Sequence, residues 1–143
     1  MESQKLELLI DYDQSVGEDD PFELDEEVYQ LAERIGWTSV FDEAVELLKD
    51  CEKKDKWYLS ASVFCWAADD KIQIPFDWQF IVALLYGCLE IYPNFGEQDP
   101  GDGENLAWST AHVLKGVGYL SEWDPMKDPE ILDILGTIQW KNT

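Results

Sequence analysis

The stretch from Trp78 to Leu89 constrains the fold more than any other part of the chain. It reads WQFIVALLYGCL, lies between Asp77 and Glu90, and has Gln79 as its one clearly polar side chain. A helix that is apolar on nearly every face needs cover all round, so it belongs inside a protein. It is shorter than the roughly 18 residues that suggest a membrane span. Asp77 offers an N-cap, and Pro93 stops the helix just beyond Tyr92. The expectation is a central helix over 77–92 with the other helices packed around it.

The rest of the chain carries the helices to supply that cover. Asp25 is placed to cap a helix through Ile35, with acids in the first turn where they suit the positive end of the macrodipole. Val28, Leu31, Ala32 and Ile35 form its apolar stripe, and Gly36 ends it. Ser39 opens the next helix, with Asp42 standing in for the Glu or Gln of a capping box. Phe41, Ala44, Val45, Leu48 and Cys51 keep to one face as far as about Lys53. Asp55 caps a helix ending near Ala68 and lined by Trp57, Ala61, Phe64, Cys65 and Ala68. Asp69-Asp70-Lys71 is a polar turn, and Ile72 to Pro75 is extended, because the residue before a proline avoids the helical region. Beyond the central helix, Asn105 to Lys115 places Leu106, Ala107, Ala111 and Leu114 inward. Asp128, with Pro129 at the first helical position, opens a last helix buried through Ile131, Leu132, Leu135 and Ile138. Residues 3–16 carry both periods. Leu6, Leu9 and Ile10 share a helical face while Lys5 to Leu8 alternate like a strand, and a short helix is favoured because nothing nearby would pair with a strand.

These elements predict an all-α fold: one domain of 143 residues, a compact bundle of about six to seven helices arranged as antiparallel helical hairpins. The hairpins fall at roughly 25–53, 55–92 and 105–140, and no sequence repeat of solenoid period is present. Two acidic stretches separate the elements. Residues 17–24, GEDDPFEL, are a linker punctuated by Gly17 and Pro21. Residues 93–104, PNFGEQDPGDGE, form a loop of a length that is often functional.

Charge decides which partners are open. Asp and Glu number 31 against 10 Lys and Arg, a formal net charge of −21. Such a surface repels nucleic acid and anionic lipid, whose binders neutralise phosphates with Lys and Arg. It attracts a basic protein, and it also serves plain solubility. No base occurs between Lys5 and Arg34, while acids run from Glu7 to Glu33. The candidate partner-binding residues are therefore Glu18, Asp19, Asp20, Glu23, Glu26 and Glu27 in that run, Asp99, Asp102 and Glu104 in the acidic loop, and Trp37. Trp37 lies at a helix end, where an aromatic can anchor an interface.

No catalytic motif is complete. His112 is the single histidine, with Ser109 and Thr110 nearby in sequence and no second His to share a metal, so the common zinc sites are not expected. Cys51, Cys65 and Cys88 have no CxxC spacing and fall in apolar stretches, where a free Cys behaves as a small hydrophobe. Asp99 to Glu104 superficially resembles a calcium loop, but its spacing fails the EF-hand pattern. Paired acids such as Asp19-Asp20 and Asp69-Asp70 are expected in turns, where acids serve as caps and solvated groups, and turn positions argue against the burial that raises a pKa for acid–base work. No metal, cofactor or catalytic residue is expected. MESQKLELL lacks the basic and long apolar regions of a signal peptide, and three unpatterned cysteines fit a reducing cytoplasm.

The size, the Glu7–Glu33 acidic run, the acidic 97–104 loop and Trp-rich helices without a catalytic motif resemble the small cytosolic immunity proteins that protect bacteria from polymorphic or contact-dependent toxins. The resemblance implies a stoichiometric inhibitor that binds a basic toxin domain, with carboxylates in place of nucleic-acid phosphates where the toxin is a nuclease. Two other classes stay open at this point: a helical adaptor or assembly module, and a small hydrolase.

Overall fold

The structure, a computed structural model, describes Lys5, Leu6, Leu8, Leu9, Asp11, Tyr12 and residues 26–91, 106–117 and 128–142. The described residues form six α-helices: α1 (Glu26–Ile35), α2 (Trp37–Leu48), α3 (Trp57–Asp70), α4 (Trp78–Ile91), α5 (Leu106–Gly116) and α6 (Pro129–Thr137). A short 3-10 segment, Cys51–Lys56, joins α2 to α3. The protein is an all-α bundle. The described residues from Lys5 to Tyr12 are helical too, so the helical period wins over the alternating one where it can be read. No described helix is long and apolar enough to cross a membrane.

The core is organised around α3 rather than α4. Trp57 and every residue from Leu59 to Ala68 are buried, whereas α4 buries Ile81 to Leu85, Gly87 and Cys88 and leaves Trp78, Gln79 and Phe80 half-buried. This corrects the expectation of a central 77–92 helix. Hydropathy counts the serines of α3 as polar, but their small side chains let neighbouring helices close in. Ser60 Oγ donates to the Ala44 carbonyl at 2.9 Å and Ser62 Oγ to the Tyr58 carbonyl at 3.0 Å, so neither hydroxyl is buried at a loss. On α5, Gly116 lies so near Ala68 that a Cβ there would sit 2.7 Å from the alanine methyl.

The helices also choose partners other than their chain neighbours. α3 packs most extensively on α5 and then on α2, while α4 packs on α6 and α5. The consecutive helices α3 and α4 therefore do not form the principal pair of the expected 55–92 hairpin. Lys71 turns left-handed (φ 58°, ψ 38°) to end α3, and residues 72–77 carry the chain away without regular structure.

Several helix ends differ from expectation for identifiable reasons. α2 starts at Trp37 rather than Ser39, because Gly36 (φ 101°) turns the chain straight from α1 into α2 without a side-chain cap. The Gly36 N–H still bonds the Ala32 carbonyl at 2.8 Å, and its own carbonyl accepts from Val40 at 3.2 Å. α2 stops at Leu48 instead of running to Lys53, where the C-terminal tail intervenes. Lys141 donates its N–H to the Lys49 carbonyl at 2.7 Å and accepts from the Cys51 N–H at 2.9 Å. Those are groups that a continuing helix would have used. α3 begins at Trp57 with Lys56, not Asp55, before it and no side-chain cap. Among the described side chains of α5, Ser109, Thr110 and Val113 are buried, and Ala111, expected inward, is exposed. The start of α6 is as expected: Asp128 Oδ1 accepts from the Glu130 N–H at 2.9 Å, with Pro129 in the first turn. Ile131 is buried there, Leu132 is exposed, and Ile138 lies just past the helix end. The expected cap at Asp25 lies outside the described residues.

An aromatic ladder runs through the bundle. Trp37 stacks on Phe41 (centroids 5.5 Å apart), Phe41 on Phe64 (5.5 Å), and Trp78 meets Phe64 edge-on (6.2 Å). The N-terminal residues close one side of this core. Leu6 and Leu9 are fully buried, the Leu6 N–H donates to Glu43 Oε1 at 3.1 Å, and Tyr12 Oη donates to Glu27 Oε1 at 3.3 Å. The tail closes another. Trp140 packs against Trp57, Lys141 pairs with Glu46, and Asn142 donates to Asp50 Oδ1 at 2.7 Å.

Candidate functional site

The surface end of the aromatic ladder opens into a groove of about 600 Å³. One wall is α1, which contributes Glu26, Tyr29 and Glu33, and Trp37 at the start of α2 continues it. The other wall is the end of α3 and the connector after it: Asp70, Lys71, Ile72 and Gln73. Tyr29, Glu33 and Trp37 fall four residues apart, the spacing that sets side chains one above another on a helix. The Gly36 turn leaves that succession intact. Trp37 Nε1 donates to Glu33 Oε2 at 3.1 Å, and the rings of Tyr29 and Trp37 lie 5.8 Å apart at 47°.

The electrostatics follow from this crowding of acids. The hydrogen bond to Glu33 and the charge of that carboxylate hold the Tyr29 phenol above its ordinary pKa. Partial burial, and then the neighbouring Asp69, push the Asp70 carboxyl above its ordinary range. Lys71 is the one cation among the described lining residues. The groove thus offers aromatic faces beside carboxylates, a combination suited to a cationic side chain.

Of the residues expected to bind a partner, Glu26 and Trp37 come together in this groove. Glu27 does not line it, and its carboxylate accepts from Tyr12 instead. Glu18, Asp19, Asp20, Glu23, Asp99, Asp102 and Glu104 lie outside the described residues. Trp37 is only half-buried, as an interface anchor needs, yet its stacking on Phe41 gives it a packing role as well. Sequence reasoning did not single out Tyr29, Glu33, Asp70 or the 71–73 connector. The four-residue spacing of the first two with Trp37 was a readable signal, hidden by the expected helix break at Gly36. The arrival of Asp70 opposite them has no local signal.

A second groove, of about 660 Å³, lies between α2 and the stretch from Ile74 to Phe80. Val45 of α2 and Ile74, Pro75, Phe76 and Phe80 make its apolar lining, and Asp42, Glu46 and Asp77 add carboxylates. Here one of the three carboxylates is already paired. Glu46 is held by Lys141 and, at 3.4 Å, by Lys49, and the Lys141 hydrogen bond chiefly keeps its carboxyl below the ordinary value.

His112 has a partner that the sequence concealed. Its Nε2 lies 2.7 Å from Asp69 Oδ2 of α3, with both side chains partly exposed. The pair supplies a base and an orienting carboxylate, but the hydroxyls nearest in sequence, Ser109 and Thr110, are buried. The thiols of α3 and α4 are interior donors. Cys65 Sγ donates to the Ser109 carbonyl and Cys88 Sγ to the Leu48 carbonyl, both at 3.2 Å, and burial pushes the Cys88 thiol far above its ordinary pKa. Among the described residues, no group of three or more His, Cys, Asp or Glu side chains is arranged to hold a metal ion. Comparison of the chain with protein-family models, with curated proteins and with solved structures finds no match in any of the three.

Proposed function

We propose that the protein is an acidic binding protein of the cytoplasm that neutralises a basic protein partner, a toxin domain, by forming a tight equimolar complex. The observation that carries this reading is the groove between α1 and the end of α3. Glu26, Glu33 and Asp70 line it beside the rings of Tyr29 and Trp37, on a chain whose net charge is −21. Long-range attraction draws a basic surface to such a face and speeds the encounter. Half-buried aromatics then hold the complex, because truncating an anchor acts on dissociation more than on association. Where the partner is a nuclease, the same carboxylates occupy its phosphate-binding surface and block the substrate. The residues assigned to the interface are Glu26, Glu33, Trp37 and Asp70 in the groove. The acidic run Glu18, Asp19, Asp20, Glu23 and Glu27 and the loop residues Asp99, Asp102 and Glu104 supply the attracting field.

The test is capture from the native host, with the variant Glu26→Lys, Glu33→Lys as the parallel bait. The expected result is one basic polypeptide held in equimolar amount by the parent, reduced with the variant, and inactive while bound. A partner that keeps its activity in the complex would make the protein an adaptor rather than an inhibitor. A partner without basic character, or one that binds both baits equally, would remove the groove from the interface.

A further inference from the structure

The groove contains a carboxylate that is already oriented before any partner arrives. Glu33 accepts from the indole N–H of Trp37 at 3.1 Å, and its carboxylate raises the pKa of the neighbouring Tyr29 phenol. Two aromatic side chains thus flank one carboxylate, and their rings are tilted 47° to each other rather than stacked shut. Among the described residues, Tyr29 is one of four large hydrophobic side chains left exposed, at 37%. Across the groove, partial burial and then the neighbouring Asp69 push the Asp70 carboxyl above its ordinary range.

We infer that this groove is a receptor for an arginine side chain of the basic partner, with Glu33 as the ion-pairing carboxylate and Tyr29 and Trp37 as the stacking surfaces. The inference rests on the reading of the protein as the binder of a basic partner. A guanidinium is planar and weakly hydrated, so it lies flat on an aromatic ring and keeps its N–H donors for carboxylates at the edge. A lysine ammonium is a compact, strongly hydrated point charge that uses the carboxylates but gains less from the rings. Because Trp37 already holds Glu33, less side-chain freedom remains to be lost when the cation binds. Glu26 and Asp70 extend the negative lining beyond a single contact, and a groove of about 600 Å³ exceeds one arginine side chain. The occupant is therefore an arginine within a short exposed stretch of the partner.

The test uses the full chain and a synthetic peptide of alternating glycine and arginine, with the matching glycine–lysine peptide as comparison. The readout is the indole N–H resonance of Trp37, identified by its loss in Trp37→Phe. The arginine peptide is expected to move that resonance saturably, and the lysine peptide to bind about two- to fivefold more weakly, the size of a cation–π contribution at an exposed site. Glu33→Gln is expected to weaken the arginine peptide about threefold or more, consistent with loss of an exposed ion pair. Tyr29→Leu should weaken it too, and Glu52→Gln, an exposed acid of the 3-10 segment, should not. Dispersed amide spectra of each variant establish that it is folded. A Trp37 resonance that stays still during the titration, equal binding of the two peptides, or full binding by Glu33→Gln would each overturn the arginine receptor. Those outcomes leave the broader reading to the capture experiment, where the presence or absence of an equimolar basic partner decides it separately.

Discussion

Trp37 and Phe64 belong to one ladder of stacked rings, yet they sit in opposite surroundings. Phe64 is fully buried on α3, stacked on Phe41 and met edge-on by Trp78. Trp37 is half-buried, and its outer side meets Tyr29 and Glu33. Aromatic chemistry alone does not separate core from interface. The neighbours do: Phe41 and Trp78 cover Phe64 within the core, and carboxylates leave Trp37 open to a cationic group. A substitution at the sealed end should be read in stability, and one at the open end in binding.

The largest effect is expected at the sealed end. Phe64→Ala should cost about 3–5 kcal/mol in urea unfolding, the usual range for a fully buried phenylalanine. Any loss of binding should follow the loss of folded protein. A Phe64→Ala variant as stable as its parent would break the comparison, because the ladder would then not run through the core.

Trp37→Ala should fall between the two ends. Its ring is partly in solvent, so its stability cost should fall below that of a fully buried aromatic, roughly 1.5–2.5 kcal/mol. Unlike Phe64→Ala, it should also speed dissociation of the partner from protein that remains folded. A stability loss with unchanged dissociation would place Trp37 wholly with the core.

The helical fold was legible in the sequence because hydrophobic period, Pro129 and the Asp128 cap are local signals. The ranking of α3 and α4 was not. Hydropathy sees apolar area, and Ser60, Ala61, Ser62 and Ala68 matter instead for how closely other helices approach. The end of α2 was misplaced for a different reason. Lys141, distant in sequence, takes the carbonyl of Lys49, and no local pattern reports such a tail contact. Half of the groove was readable: Glu26 and Trp37 were singled out, and Tyr29 and Glu33 lie at the right spacing. Asp70 and Lys71 reach it only through the packing of α3, and Asp69 reaches His112 by the same route.

A smaller effect sharpens the comparison from a third region, the tail. Glu46 is held below its ordinary carboxyl value of 4.5, chiefly by its hydrogen bond from Lys141, and that bond holds the lysine above its ordinary 10.5. A depressed carboxyl contributes stability above its unfolded pKa and loses it as pH falls through the folded one. A raised lysine contributes below its unfolded pKa and loses it as pH rises through the folded one. The tail clamp should therefore be intact across neutral pH and weaken at the acid end below 4.5. Lys141→Ala should flatten that acid limb in melting curves recorded against pH, and the shift should be small because both side chains are more than half exposed. Partner binding at neutral pH should not change, since Lys141 lies outside the α1 groove. An acid limb identical in parent and variant would remove the clamp from the account.

The most direct test of the central claim is the association rate of Glu26→Lys, Glu33→Lys with the captured basic partner, measured by stopped flow at low and high salt. Loss of a first-turn acid and of an exposed hydrogen bond should cost about 1–2 kcal/mol and leave the variant folded, with circular dichroism as the control. The account expects the rate to fall about tenfold at low salt, and the gap to narrow as added salt shortens the reach of charge to about 8 Å or less. A folded variant that associates as fast as the parent at both salts would contradict it, and would make the acidic aromatic groove no more than a solvated face.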